Sequence, residues 1–185
     1  MKLKGSYTFD APRQEVWDAL LDPNVIAKIM PGCERLDRTD DNTYKGALNV
    51  KVGPVQGKFQ GTVQLSNLDE PESYDMNIDG RGPSGFIKGE GHITLEDAEE
   101  EGKTTLGYSV EANVGGRIAG VGQRLLDTTA RSITRQSLET LDQVIQARIS
   151  GTEANLKGPS STKIAAGIAK DVVKDMFSKK KKEEE

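Results

Sequence analysis

The stretch from Val55 to Ser66 reads VQGKFQGTVQLS, and the fold follows from its alternation. Apolar residues and glycines occupy one set of alternate positions, and polar residues occupy the other. Because successive side chains of a β-strand point to opposite faces, this pattern predicts a half-buried antiparallel strand. The predicted inner face is apolar but short of volume, since Gly57 and Gly61 both lie on it.

The same pattern recurs in the other strands that the sequence predicts between Tyr44 and Val114. Inner glycines leave space beneath whatever covers the sheet, whereas protein interiors normally pack to crystal-like density. We therefore predict a ligand-sized apolar cavity; the alternative is that these glycines only relieve crowding where a curved sheet bends. The predicted cavity residues are Tyr44, Gly57, Phe59, Gly61, Tyr74, Met76, Ile78, Gly89, Gly91, Tyr108, Leu125, Thr129 and Ile133.

Periodicity along the chain predicts an α+β fold. A strand over residues 2–10 is followed by two short helices, which open at Ala11-Pro12 and Asp22-Pro23. Six strands follow up to Val114, and a helical period then extends over residues 117–149. We expect a seven-stranded, curved antiparallel sheet that wraps the long final helix.

The turns of this sheet fall into two sets, because consecutive hairpins end on alternate sides. One set is acidic, as at residues 96–101, and acidic turns are usually only solvated tips. The other set is rich in glycine and predicts a mobile mouth to the cavity. Phe86 lies beside these glycine-rich turns, and its side chain either plugs the mouth, forms an exposed contact or simply packs against its neighbours. The predicted mouth residues are Gly53, Pro54, Gly82, Pro83, Gly85, Phe86, Gly115 and Gly116.

Composition limits the class of protein. The 185 residues carry a net charge of −4, with 35% hydrophobic residues, which suits one globular domain over residues 1–150 and a tail. No run approaches the roughly 20 apolar residues that span a bilayer, and the start lacks a signal-peptide core, so we expect a cytoplasmic protein. The 5% of aromatic residues argues against a nucleic-acid partner.

Few side chains suit catalysis or metal binding. Cys33 is the only cysteine and His92 the only histidine, and strand periodicity places His92 on the polar outer face. Nucleophilic catalysis or zinc binding would need such residues together in the pocket, so we predict no catalytic residue, no metal site and no covalent cofactor. Tyrosines remain in the hollow, where they either orient a ligand oxygen or keep their hydroxyls in water.

The chain changes character after residue 150. Residues 151–162 read as a flexible linker, and residues 163–185 predict an amphipathic helix with a basic end. Such a short helix is marginal alone in water, so it must dock. Seven lysines against five carboxylates favour an anionic membrane surface over a partner protein or a disordered or self-packed tail. The predicted membrane residues are Ile164, Ile168, Val172, Met176, Phe177, Lys179, Lys180, Lys181 and Lys182.

Several segments resemble the family of the carbon monoxide dehydrogenase G subunit over about residues 1–150. They are VWDALLDP at 16–23, PGC at 31–33, VGP at 52–54, and VGGRIA at 114–119 with Gly122 and Arg124. The family belongs to the helix-grip superfamily of START-like and polyketide-cyclase-like lipid-binding domains. The resemblance implies a sheet gripping a C-terminal helix around an apolar cavity. It also implies a non-catalytic accessory protein that holds a molybdenum-containing CO dehydrogenase at the cytoplasmic face of the membrane.

The residues and the resemblance together predict a peripheral membrane adaptor. Its tail lies on the bilayer, its domain binds a hydrophobic small molecule, and CO dehydrogenase docks on it. The hypothetical ligand is an isoprenoid quinone or another lipid, because an oxidoreductase in water must pass electrons to an acceptor dissolved in lipid. The alternatives are a START-like carrier of hydrophobic molecules without a redox partner and a cyclase-like enzyme, which would need an inward ionisable residue.

Overall fold

The computed structural model describes residues 1–152, so the predicted tail helix and the linker from residue 153 onward lie outside the described residues. Seven strands, three α-helices and one 3-10 turn follow one another in this part of the chain. They are β1 (Lys2–Phe9), α1 (Arg13–Leu21), α2 (Pro23–Ile29), β2 (Cys33–Asp40), β3 (Thr43–Val52), β4 (Val55–Asp69), β5 (Ser73–Gly82), β6 (Gly85–Asp97), β7 (Thr104–Gly115), the 3-10 turn (Ala119–Val121) and α3 (Gln123–Ile149).

The strands form one antiparallel sheet in the order β1-β7-β6-β5-β4-β3-β2. Strands β2 to β7 pair consecutively, and β1 pairs with β7 at the far edge. Tight hairpins fix the register, since Val52 lies opposite Val55. The predicted α+β class and the seven-stranded antiparallel sheet are therefore confirmed.

The two short helices follow the predicted order. Asp22 caps α2, because its Oδ1 accepts a hydrogen bond from the backbone N–H of Asn24 at 2.9 Å. The other carboxylate oxygen of Asp22 pairs with the guanidinium of Arg148 in the last turn of α3. The beginning of α2 is thus tied to the end of the long helix.

The long helix begins later than the sequence predicts. It starts at Gln123 rather than near Arg117, and the 3-10 turn precedes it. Gly122 separates the two with a φ of +93°, a backbone conformation that favours glycine. The 27 residues of α3 span about 40 Å, enough to cross the sheet. Within residues 1–152, no helix combines the length and apolar composition needed to cross a membrane.

Two apolar clusters fill the space between the sheet and the helices. The first cluster has Trp17 of α1 and Leu141 of α3 among its buried members, and the smaller second cluster has Ile118 and Leu126. The long helix contributes to both. Between Leu126 in the second cluster and Leu141 in the first, the buried side chains of α3 are small and polar, as at Thr129 and Ser132. The apolar packing of α3 is therefore interrupted near its middle.

Candidate ligand cavity

A cavity of about 450 Å³ lies on the inner face of the sheet and touches both clusters. Pockets that hold small molecules have volumes of about 300–1,000 Å³. The wall residues are Leu3, Leu20, Ile26, Met30, Leu36, Tyr44, Gly46, Leu48, Val50, Phe59, Gln60, Gly61, Thr62, Val63, Leu65, Tyr74, Met76, Ile78, Gly80, Ile87, Ile93, Leu106, Tyr108, Val110, Thr134 and Leu138. The space is therefore large enough for a small organic molecule.

The wall is uncharged. Among the described residues that form it, none is Asp, Glu, Lys, Arg, His or Cys. Transfer of an isolated charge into apolar surroundings without a partner is strongly unfavourable. The cavity therefore suits a neutral and mostly apolar molecule.

A row of three glycines crosses the middle of the sheet. Gly46 on β3 lies directly opposite Gly61 on β4, and Gly61 lies directly opposite Gly80 on β5. All three belong to the cavity wall. A Cβ atom added to Gly80 would find only the carbonyl oxygen of Ile87 within 4 Å, at 3.8 Å. The space above Gly80 is therefore open, which agrees with the predicted hollow.

Tyrosines supply most of the hydroxyl groups in the wall. Tyr44 donates its hydroxyl hydrogen to the carbonyl oxygen of Leu21 at 2.8 Å, whereas the hydroxyls of Tyr74 and Tyr108 have no hydrogen-bond partner within residues 1–152. Burial raises the pKa of Tyr44 and raises that of Tyr74 strongly. These two phenols therefore stay protonated near neutral pH and can act as donors.

Seven of the thirteen predicted cavity residues lie in the wall. They are Tyr44, Phe59, Gly61, Tyr74, Met76, Ile78 and Tyr108. The predicted glycines Gly57, Gly89 and Gly91 lie outside it. A Cβ on Gly91 would lie 2.9 Å from Cγ of Met76, and one on Gly57 would lie 3.2 Å from Oγ of Ser84, because neighbouring side chains cover both positions. Gly89 lies against Ala112 of β7.

The helix residues Leu125, Thr129 and Ile133 also lie outside the wall, so this part of the prediction is corrected. Leu125 packs against the second cluster, and Thr129 is buried with no hydrogen-bond partner for its Oγ1 among the described residues. The helix instead contributes Thr134 and Leu138 to the wall. These residues are four apart and share one face of the helix. Leu125, Thr129 and Ile133 have the same spacing, so helical spacing alone does not show which face meets the cavity.

None of the predicted mouth residues, Gly53, Pro54, Gly82, Pro83, Gly85, Phe86, Gly115 and Gly116, belongs to the cavity wall. The second cluster closes this end, where Ser84 is buried and its carbonyl oxygen accepts a hydrogen bond from the N–H of Ile118 at 2.9 Å. Phe86 is 37% exposed and its ring lies against Gly115. Local turn chemistry identified the loops correctly, but the packing beneath them separates them from the cavity.

The outer face of the sheet carries the only histidine. His92 Nδ1 lies 2.6 Å from Oδ1 of Asp75, and Asn67 donates to the other oxygen of the same carboxylate at 2.7 Å. The Asn67 bond and then the His92 bond lower the pKa of Asp75. Across residues 1–152, no three His, Cys, Asp or Glu side chains are grouped so that they could hold a metal ion.

A curved seven-stranded antiparallel sheet that wraps a long C-terminal helix around an apolar cavity defines a helix-grip domain, the class that includes START-like and polyketide-cyclase-like proteins. The family model for the G subunit of carbon monoxide dehydrogenase (CoxG) matches residues 5–146. The chain belongs to this family. No protein with a curated description matches the sequence.

Solved structures share the fold. A conserved protein from Geobacillus kaustophilus is 29% identical with a TM-score of 0.75, over 79% of this chain and 95% of that chain. An aromatase/cyclase from a Streptomyces species is 15% identical with a TM-score of 0.59, over 80% and 95% of the two chains. A Mycobacterium smegmatis protein is 19% identical with a TM-score of 0.58, over 80% and 92%. The last two matches show the fold alone.

Proposed function

We propose that this protein is a non-catalytic adaptor that recruits a molybdenum-containing CO dehydrogenase to the cytoplasmic face of the membrane. In the same proposal, its cavity carries a hydrophobic ligand, a respiratory isoprenoid quinone. Family membership supports the enzyme partner, because the family is named for a subunit of CO dehydrogenase. The observation that carries the ligand proposal is the cavity of about 450 Å³ with an uncharged, mostly apolar wall.

The redox balance gives a reason for joining these two roles. Conversion of carbon monoxide and water to carbon dioxide releases two electrons and two protons. A quinone takes up both electrons and both protons when it becomes a quinol, so no further reactant is needed. An isoprenoid quinone dissolves in lipid rather than water, and an apolar sleeve lowers the free energy of bringing it to an enzyme in the cytoplasm.

The chemistry of the wall supports a binding role rather than catalysis. General acid–base catalysis works best with groups whose pKa lies near the operating pH. The ionisable groups of this wall are tyrosines, and burial raises the pKa of Tyr74 and Tyr44 further from neutrality. Hydrogen bonding to a ligand is therefore the chemistry that these hydroxyls offer.

The sequence of the tail supports membrane recruitment. Residues 163–178 place apolar and charged side chains on opposite sides at helical spacing, and Lys179–Lys182 follow directly. Each lysine near an anionic bilayer contributes about 1 kcal/mol, and the apolar residues add to this when they are buried at the headgroup boundary. The tail and the cavity would then deliver ligand and enzyme to the same surface.

A cavity-filling variant tests the ligand proposal. Gly80→Leu places a side chain in open space, whereas Gly120→Leu adds the same side chain at an exposed turn with nothing within 4 Å of its Cβ. Lipids extracted from the freshly purified full chain should contain quinone by mass spectrometry. The Gly80→Leu variant should lose most of it, and the matched Gly120→Leu variant should retain it. A wild-type chain that yields no hydrophobic molecule from cells containing quinone would contradict the proposal.

A reconstituted assay separates the adaptor from a generic carrier. Purified CO dehydrogenase is mixed with quinone-containing liposomes and carbon monoxide, with and without this protein, and quinol formation is followed. The adaptor should increase both enzyme sedimentation with the liposomes and quinol formation. A protein that binds quinone but changes neither quantity would be a carrier without this redox partner.

A further inference from the structure

Two tyrosines in the cavity wall differ in one respect. Tyr44 and Tyr74 are both buried, with exposed fractions of 6% and 5%. The hydroxyl of Tyr44 donates to the carbonyl oxygen of Leu21 at 2.8 Å. The hydroxyl of Tyr74 has no partner anywhere in residues 1–152, although the ring is held edge-on against Trp17 with 5.6 Å between the centroids. The position of Tyr74 is therefore fixed while its polar group is unused.

The unpaired hydroxyl faces the cavity rather than packed protein. Within residues 1–152, three side-chain oxygens are inaccessible to a water-sized sphere and have no hydrogen-bond partner. They belong to Thr129, Gln136 and Asp142. The Tyr74 hydroxyl is not one of them, although the residue as a whole is buried. Because Tyr74 lies in the wall, the space that its hydroxyl borders is the cavity.

A buried hydroxyl without a hydrogen-bond partner destabilises the folded state, so its presence indicates that an acceptor is missing. Loss of hydrogen bonds to water destabilises the folded state unless another group replaces them. Burial raises the pKa of Tyr74, so the group remains a phenol and keeps its hydrogen to donate. An acceptor oxygen placed in the cavity would satisfy it, and a purely apolar occupant would leave it unpaired.

The register indicates the length of the occupant. Tyr74, Met76, Ile78 and Gly80 follow one another on the inner face of β5, and all four belong to the wall. Six residues of strand extend over about 20 Å. A ligand that reaches from the Tyr74 hydroxyl to the glycine row is therefore elongated and apolar along most of its length.

We propose that the Tyr74 hydroxyl is the donor that holds the ligand by an uncharged oxygen acceptor, a carbonyl or ether, at one end of an elongated apolar molecule. This inference rests on the proposed ligand-carrying function and identifies the polar end of the ligand and its partner. Tyr108 is less suited to the role, because it is only half-buried and its hydroxyl lies over Gly5. Tyr74 is thus a specificity-determining residue that selects carbonyl or ether compounds over hydrocarbons of the same shape.

The test uses two small compounds that differ at one position. Acetylnaphthalene carries a carbonyl oxygen where isopropenylnaphthalene carries a methylene group. Their affinities for the purified full chain are measured by calorimetry for wild type, Tyr74→Phe and Tyr44→Phe. Wild type should prefer the ketone by roughly tenfold, which is the upper part of the range for one neutral hydrogen bond. Tyr74→Phe should remove this preference and leave hydrocarbon affinity unchanged or improved.

Tyr44→Phe is the matched control, because it deletes a hydroxyl that is already paired. This variant should keep the ketone preference but melt at a lower temperature, since the Leu21 carbonyl loses its donor. Tyr74→Phe should melt no lower than wild type. If Tyr74→Phe binds the ketone with the wild-type preference, or melts as low as Tyr44→Phe, the inference is overturned while the ligand proposal stands. If wild type binds neither compound, the inference is overturned, and the extraction of quinone from the purified chain decides the ligand proposal separately.

Discussion

The Tyr7 hydroxyl on β1 donates a hydrogen bond to Oδ2 of Asp142 on α3, with 3.2 Å between the two oxygens. The residues are 135 positions apart in sequence, so this bond fastens the edge strand to the helix that the sheet wraps. Asp142 Oδ1 is buried without a partner among the described residues. Burial, followed by the charge of Asp142, raises the pKa of Tyr7 to about 12.

The first prediction concerns this bond. Tyr7→Phe removes the donor and leaves the carboxylate of Asp142 without it, so we expect a loss of about 1–3 kcal/mol in the free energy of unfolding. Asp142→Asn keeps an acceptor oxygen for Tyr7 and should cost less. Urea denaturation of the three proteins measures both differences. Equal losses in the two variants would show that the bond is not what Tyr7→Phe removes.

The same pair predicts a dependence on alkaline pH. The folded-state pKa of Tyr7 is raised above the usual value near 10, so the stabilisation is fully present below about pH 10. It is lost as the pH rises through about 12. The difference in unfolding free energy between wild type and Tyr7→Phe should therefore shrink over this interval. A difference that stays constant from pH 9 to about 12 would contradict the assigned ionisation.

The stabilisation that Asp22 contributes to the folded state should depend on pH in the opposite direction. Burial raises the pKa of this carboxyl, but the bonds from Arg148 and from the Asn24 N–H outweigh burial and lower the pKa overall. The stabilisation is therefore present above the unfolded-state pKa of about 3.9 and is lost as the pH falls. Asp22→Ala should cost about 1 kcal/mol at neutral pH, as for other helix caps, and progressively less in acid. The exposed Asp18→Ala is the control and should change the melting temperature little.

Two glycines with similar backbone angles should respond differently to substitution. Gly102 has a φ of +79° with nothing within 4 Å of an added Cβ, whereas Gly116 has a φ of +83° and its Cβ would lie 2.5 Å from Cα of Gly85. Gly102→Ala should cost about 1–2 kcal/mol, the strain of the left-handed conformation. Gly116→Ala should cost clearly more because it adds a backbone clash. Equal melting temperatures for the two variants would show that the backbone segments at Gly85 and Gly116 move apart readily.

The sequence of the tail predicts that its removal will affect membrane binding but not the stability of the folded domain. Deletion of residues 160–185 should abolish binding to anionic liposomes, since these residues hold the lysines and the amphipathic pattern. The melting temperature should change little. Sedimentation with liposomes and a thermal melt measure the two effects. Full liposome binding by the truncated chain would remove the anchor hypothesis.

The alternation along the strands was sufficient to place side chains on the correct face. The period alone predicts that Phe59, Tyr74 and Ile78 face the cavity, and all three lie in its wall. The period does not say what lies above an inner position. Gly91 faces inward like Gly61, but the side chains of Met76 and Val110 lie over it. The order and register of the strands decide such contacts, and they join residues distant in sequence.

The sequence by itself determined the sheet, its curvature around a final helix and the apolar character of the inner face, because these depend on local periodicity and turn residues. Only the tertiary structure decided where the hollow lies. The long helix α3 lines it with Thr134 and Leu138, and which helix face meets the sheet depends on contacts between distant residues. Only the folded contacts also show that the Tyr44 hydroxyl is bonded to Leu21 while that of Tyr74 has no hydrogen-bond partner within residues 1–152. The donor and the acceptor of such a bond are distant in the sequence, so only folding decides whether they meet.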